Sequence, residues 1–93
     1  MAERRVTIGW PEGLHARPAS VFVRAATAVG VPVTIAKEGG TPVNAASMLG
    51  LLGLGAQGGD AVVLASDADN ADEALDRLAK LVQEGLDELP AAA

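Results

Sequence analysis

The chain has 93 residues, 49% of them hydrophobic, and a net charge of −5, which gives room for one small domain around one core. It has no cysteine and a single histidine, His15, which excludes a disulfide framework, a thiolate metal centre and a cysteine nucleophile. Residues 1–59 hold five basic against three acidic side chains and residues 60–93 two against nine; that acidic end, with one Trp and one Phe in the whole chain, argues against nucleic acid as a partner.

The elements follow in chain order. Met1 to Val6 lacks the apolar core of a signal peptide, and no apolar run is long enough to span a bilayer, so a cytoplasmic protein without membrane insertion is expected. Arg5-Val6-Thr7-Ile8 alternates with period two and reads as a strand. Trp10-Pro11-Glu12-Gly13 is a turn-rich loop. Ala19, Phe22, Val23 and Ala26 then form an amphipathic stripe, with Pro18 suited to the first turn and Gly30 to the stop, so a helix is expected from about Ala16 to Val29. Val33 to Ala36 reads as a second strand, Glu38-Gly39-Gly40-Thr41 as a hairpin turn, and Pro42 to Asn44 as a short edge strand.

Ser47 is placed to cap a short helix over the apolar, glycine-punctuated run Met48 to Gly55. Ala61 to Ala65 is continuously apolar and reads as a central strand. Asp69 or Asn70 is expected to cap a last helix with Asp72 and Glu73 in its first turn and Ala71, Ala74, Leu75, Leu78, Leu81 and Val82 as its inner stripe, ending near Gly85 or Leu89. Residues 1–89 are expected to form one domain and 90–93 a flexible tail. The order βαββαβα predicts an α+β fold, one sheet with helices on a single face.

The chemistry concentrates at Gly13-Leu14-His15-Ala16-Arg17-Pro18. An imidazole at a helix start serves either as a surface or capping residue or as a nucleophile. The first N–H groups of a helix lack internal partners and, with the helix dipole, favour an anion. Ala16, Arg17 and Pro18 form that turn, and Arg17 adds a charge-assisted donor. Nucleophile, anion cradle and cation therefore fall within four residues, the combination that a phosphohistidine needs. No P-loop and no metal-ligating cluster is present, and no cofactor is expected.

Gly13-Leu14-His15-Ala16-Arg17-Pro18-Ala19 resembles the active-site signature of HPr, the histidine-containing phosphocarrier family of the bacterial phosphoenolpyruvate-dependent sugar phosphotransferase system. Val43 to Gly50 resembles that family's second signature, around its regulatory serine. The resemblance implies an open-faced β-sandwich, a four-stranded antiparallel sheet with three helices on one face. It implies a phosphoryl carrier with a phosphohistidine intermediate rather than a stand-alone enzyme: Enzyme I gives the group to Nδ1 of His15, and IIA domains of sugar permeases take it. Arg17 corresponds to the phosphate-stabilising cation and Ser47 to the serine modified by an HPr kinase/phosphorylase. Ser20, Arg24, Met48, Leu49 and Leu52 are expected at the partner interface of a monomeric protein. Glu12 departs from the small polar residue common at its position, and a carboxylate there is expected to favour positive charge at the ring.

Overall fold

The computed structural model describes residues 2–90. The elements are β1 (Ala2–Thr7), α1 (Ala16–Ala28), β2 (Thr34–Lys37), β3 (Val43–Asn44), α2 (Met48–Gly53), β4 (Ala61–Ser66) and α3 (Ala71–Glu84). The four strands form one antiparallel sheet in the order β1-β4-β2-β3. The apolar run in β4 is the central strand, paired with β1 through Arg5–Val63 and Val6–Val62 and with β2 through Ile35–Leu64.

Register decides which side chains meet the helices. Val6, Val62, Leu64 and Ile35 point to one face and are buried, whereas Glu3, Arg5, Thr7 and Thr34 point to the other and are exposed. Above the inner face, α1 contributes Ala19, Phe22, Ala25 and Ala26, and α3 contributes Leu75, Leu78, Leu81 and Val82. Each large apolar side chain fully buried there contributes about 1.5–3 kcal/mol of transfer free energy. Arg4, on the inner side of β1, stays at the rim and pairs with Asp72 at 3.1 Å and Asp76 at 2.7 Å, one turn apart on α3.

The observed bounds differ from the expected ones mainly at the caps. Val29 and Gly30 close α1 as the stop signal predicts, with Gly30 at φ 75°. Ser47 accepts a hydrogen bond from the Gly50 N–H at 3.1 Å, so its capping role is present. The cap of α3 needs a correction. Asn70 occupies the position, but it is left-handed (φ 64°) and its side chain makes no capping bond. A helix cap normally sits in extended backbone, where its oxygen meets the N2 or N3 amide; the left-handed turn denies Asn70 that geometry. At the far end Gly85 is left-handed (φ 62°) and Leu86 N–H reaches the Leu81 carbonyl at 3.0 Å, so α3 stops at Gly85 and not at Leu89. Of the expected tail, Pro90 accepts a hydrogen bond from Arg77 Nε at 3.0 Å, and residues 91–93 lie outside the described residues.

Candidate functional site

The site starts from the loop between β1 and α1. Backbone bonds hold it from two sides: Ile8 N–H to the Asp60 carbonyl (2.9 Å), Gly9 N–H to Val82 (2.8 Å) and Leu14 N–H to Ala56 (3.0 Å). Gly13 closes a turn onto the Trp10 carbonyl at 2.9 Å. Two glycines make this packing possible. Gly13 has φ 75°, and a Cβ there would run into the Ala56 carbonyl; a Cβ on Gly58 would run into the Pro11 carbonyl. The Trp10 ring is buried and donates its indole N–H to the Leu86 carbonyl at 3.2 Å. Buried Leu14 then anchors the chain immediately before the histidine.

His15 is the N-cap of α1, with φ −89° and ψ −171°. Its carbonyl accepts the Ala19 N–H at 2.8 Å, which begins the helix. Its imidazole is exposed and makes no capping bond, so the reading of His15 as a cap through its side chain fails. Among the described residues the N–H groups of Ala16 and Arg17 have no protein partner, and Pro18 has none to offer. No acidic residue occupies the first turn of α1, so nothing in that turn opposes a bound anion. Arg17 is exposed, and among the described residues its guanidinium takes part in no ion pair. Imidazole, two free amides and a free guanidinium are thus gathered within three residues at one helix end.

The remaining expected residues occupy three places. Ser20 is half-buried on α1, one turn beyond Ala16. Arg24 is exposed and lines a cavity of about 400 Å³ with Val21, Asp87 and Glu88, towards the C-terminal segment. On α2, which packs beside α1, Leu49 is 83% exposed and Leu52 45% exposed, while Leu51 is buried and Met48 is half-buried against the core. The six-residue helix therefore splits its apolar run, presenting Leu49 and Leu52 outward and spending Leu51 and much of Met48 inward. Ser47 stands at the start of this helix, half-buried and engaged with Gly50.

Glu12 makes no ion pair with His15 among the described residues. It lines instead a cavity of about 300 Å³ with Trp10, Pro11, Arg17, Pro18, Val21 and Asp87. The expectations leave out Trp10 as an anchor and Asp87 as a neighbour of the site: the Trp10 tie runs to Leu86, 76 residues away, and Asp87 shares a cavity with Arg17 only through folding of the C-terminal segment onto this loop. A lone tryptophan directly ahead of the motif was the available signal for the first; nothing in the local sequence marks the second.

Among the described residues no group of His, Asp and Glu is arranged to hold a metal, and no helix is long and apolar enough to cross a membrane. The sequence model of the PTS HPr component phosphorylation site matches residues 2–84. The chain is 78% identical over 90 residues to the phosphocarrier protein HPr of Streptomyces coelicolor, covering 97% of each. It is 38% identical over 84 residues to the HPr-like protein Crh of Bacillus subtilis, covering 90% of this chain and 98% of that one. The crystal structure of the phosphocarrier protein HPr from Bacillus anthracis superposes with a TM-score of 0.81 at 35% identity, covering 88% of this chain and 96% of that one. The sheet order, the helix-end cluster around His15 and these likenesses agree: the chain belongs to the HPr family, the phosphocarriers of the phosphotransferase system.

Proposed function

We propose that His15 is the residue that carries the phosphoryl group, received from phosphorylated Enzyme I and passed to IIA domains of sugar permeases. The observation that carries this reading is the exposed imidazole at the N-cap of α1, unbonded, beside the free N–H groups of Ala16 and Arg17. The lone pair of Nδ1 attacks phosphorus and forms a P–N bond. The bond from phosphorus to the donor breaks, and its electron pair leaves with the donor. Arg17 and the two amides meet the oxygens of the transferred group, where charge-assisted hydrogen bonds are strongest. The same donors serve the outward step, in which the accepting histidine or other nucleophile of the IIA domain takes phosphorus and the electron pair returns to His15.

Leu49 and Leu52 supply the apolar part of the contact with both partners, with Met48 beneath them as an adaptable filler and Ser20 and Arg24 at its margin. Ser47 is the site at which an HPr kinase/phosphorylase adds a regulatory phosphate. A dianion there stays favourable next to the first amides of α2 and adds repulsion towards an acidic partner approaching Leu49. The protein acts in the cytoplasm, as a monomer. Incubation with Enzyme I, a IIA domain and labelled phosphoenolpyruvate tests the relay. Label reaches the IIA domain only when this chain is present, and label on the IIA domain at the same rate without it would overturn the reading.

A further inference from the structure

We infer that Asp60 is a positioning residue for His15: its carboxylate closes the turn at residues 57–60, and that turn fixes the backbone from which the imidazole projects. The inference rests on the reading of His15 as the phosphorylated residue.

The bonds of Asp60 carry it. Asp60 Oδ2 accepts the Gln57 N–H at 2.9 Å, and the Asp60 N–H donates to the Gln57 carbonyl at 3.0 Å. Both backbone polar groups of Gln57 are thus taken by one half-buried residue. The Lys37 ammonium, at the end of β2, stands 3.7 Å from the same carboxylate oxygen.

The closed turn then backs the loop that leads to His15. The Ile8 N–H donates to the Asp60 carbonyl at 2.9 Å, the Gly59 N–H to the Ile8 carbonyl at 3.0 Å, and the Leu14 N–H to the Ala56 carbonyl at 3.0 Å. Between these bonds the two backbones touch: Gly58 lies against the Pro11 carbonyl, and Gly13 against the Ala56 carbonyl and the Gln57 Cα. The last bonded residue of the loop, Leu14, directly precedes His15. The imidazole makes no capping bond, so its placement depends on the backbone at Leu14 and on the start of α1. Without the Asp60 carboxylate the Gln57 N–H loses its acceptor, and the turn under Gly13 and Leu14 is free to open. A small displacement of a reacting group lowers rate far more than it lowers stability. The alternative, that Asp60 only forms a surface ion pair with Lys37, predicts the same effect from losing either partner.

Single-turnover transfer from phosphorylated Enzyme I tests this on the full chain, with the label located on the parent so that a failure of His15 as carrier is seen separately. Asp60→Ala is expected to lower the limiting rate about tenfold. The Enzyme I concentration for half-saturation is expected to hold, because Leu49 and Leu52 lie outside the turn. Asp60→Asn keeps an oxygen acceptor for the Gln57 N–H and is expected to restore most of the rate. Lys37→Met is expected to stay within about twofold of the parent, the scale of one exposed charge. In Asp60→Ala, amide hydrogen exchange is expected to quicken at Leu14 and to stay slow at Phe22, in the buried face of α1. A parent-like rate in Asp60→Ala, or equal losses in Asp60→Ala and Lys37→Met, would overturn the inference. So would exchange at Phe22 that quickens as much as at Leu14, which marks a loss of stability spread over the whole domain.

Discussion

Trp10 and Leu86, 76 residues apart, are joined by a hydrogen bond of 3.2 Å from the indole N–H to the backbone carbonyl. The contact binds the loop that presents His15 to the segment that follows α3. The Trp10 ring is buried, so it supplies apolar packing and a polar tie at once. Replacing it with Phe keeps most of the packing and removes the donor. Trp10→Phe is therefore expected to cost about 1 kcal/mol, and Trp10→Ala about 3–5 kcal/mol. Urea denaturation of both variants checks the order; equal losses would mean that the ring's size contributes nothing there.

Gly58 supports the same loop by close approach. A side chain at this position would meet the Pro11 carbonyl, a backbone atom that cannot step aside without moving the loop. Gly58→Ala is expected to destabilise by more than about 1 kcal/mol and to displace the amide resonances of residues 10–14. Gly53→Ala is the control, because a Cβ there meets open space within a helix. That change is expected to be neutral or mildly stabilising.

Ser47 is both the cap of α2 and the proposed regulatory site. Losing the bond from Gly50 N–H leaves a six-residue helix without its side-chain cap, and Ser47→Ala is expected to cost about 1 kcal/mol. Ser47→Asp retains an acceptor and adds charge, so stability is expected to hold while transfer from Enzyme I slows. Thermal unfolding and phosphotransfer kinetics on the same samples separate the two roles. A Ser47→Asp variant that transfers at the parent rate would count against regulation through charge.

Leu49 separates the proposed partner surface from the core. At 83% exposure its side chain contributes little to packing, so Leu49→Asp is expected to fold normally. Transfer in either direction is expected to fall by at least tenfold, the loss of about 1.4 kcal/mol of binding. Leu51→Asp, at a fully buried position one turn away from neither exposed leucine, is expected to unfold the domain instead. Normal transfer by folded Leu49→Asp would remove α2 from the interface.

The pairing of Arg5 with Glu38 gives a pH signature. The guanidinium holds the Glu38 carboxyl below the usual carboxylate range, first through their hydrogen bond and then through charge. Its protonated form is therefore relatively disfavoured in the folded state. The stabilisation is complete above the ordinary carboxylate pKa and is lost as pH falls through the lowered one. Both groups are exposed, so salt screens the effect. The stability gap between the parent and Glu38→Gln is expected to close on acidification and to shrink in high salt; a gap independent of both would contradict the assignment.

Much of this structure was legible in the sequence because local periodicity and burial agree. The α3 stripe from Ala71 to Val82 predicts its own buried face, and the unbroken run Ala61 to Ala65 predicts the strand with two neighbours. The caps were less legible. Ser47 and Asn70 look alike as capping residues, and only backbone dihedrals separate the one that caps from the one that does not. The motif around His15 was plain, since its cation, its amides and its ring are neighbours in the chain. What stayed hidden was the frame behind it: Trp10 against Leu86, Gly13 against Ala56, and Asp87 across a cavity from Arg17 all depend on how distant segments fold together. The division of α2 into outward Leu49 and Leu52 and inward Leu51 was likewise set by tertiary packing, because the run itself is apolar on every side.

The most direct measurement locates the phosphoryl group. The chain is phosphorylated by Enzyme I and phosphoenolpyruvate, held at alkaline pH, and read by fragmentation mass spectrometry beside His15→Ala treated in the same way. The group is predicted on His15 alone, lost in acid and stable in base, and absent from the variant. Phosphate on another residue, or undiminished phosphorylation of His15→Ala, would contradict the assignment of His15 as the carrier.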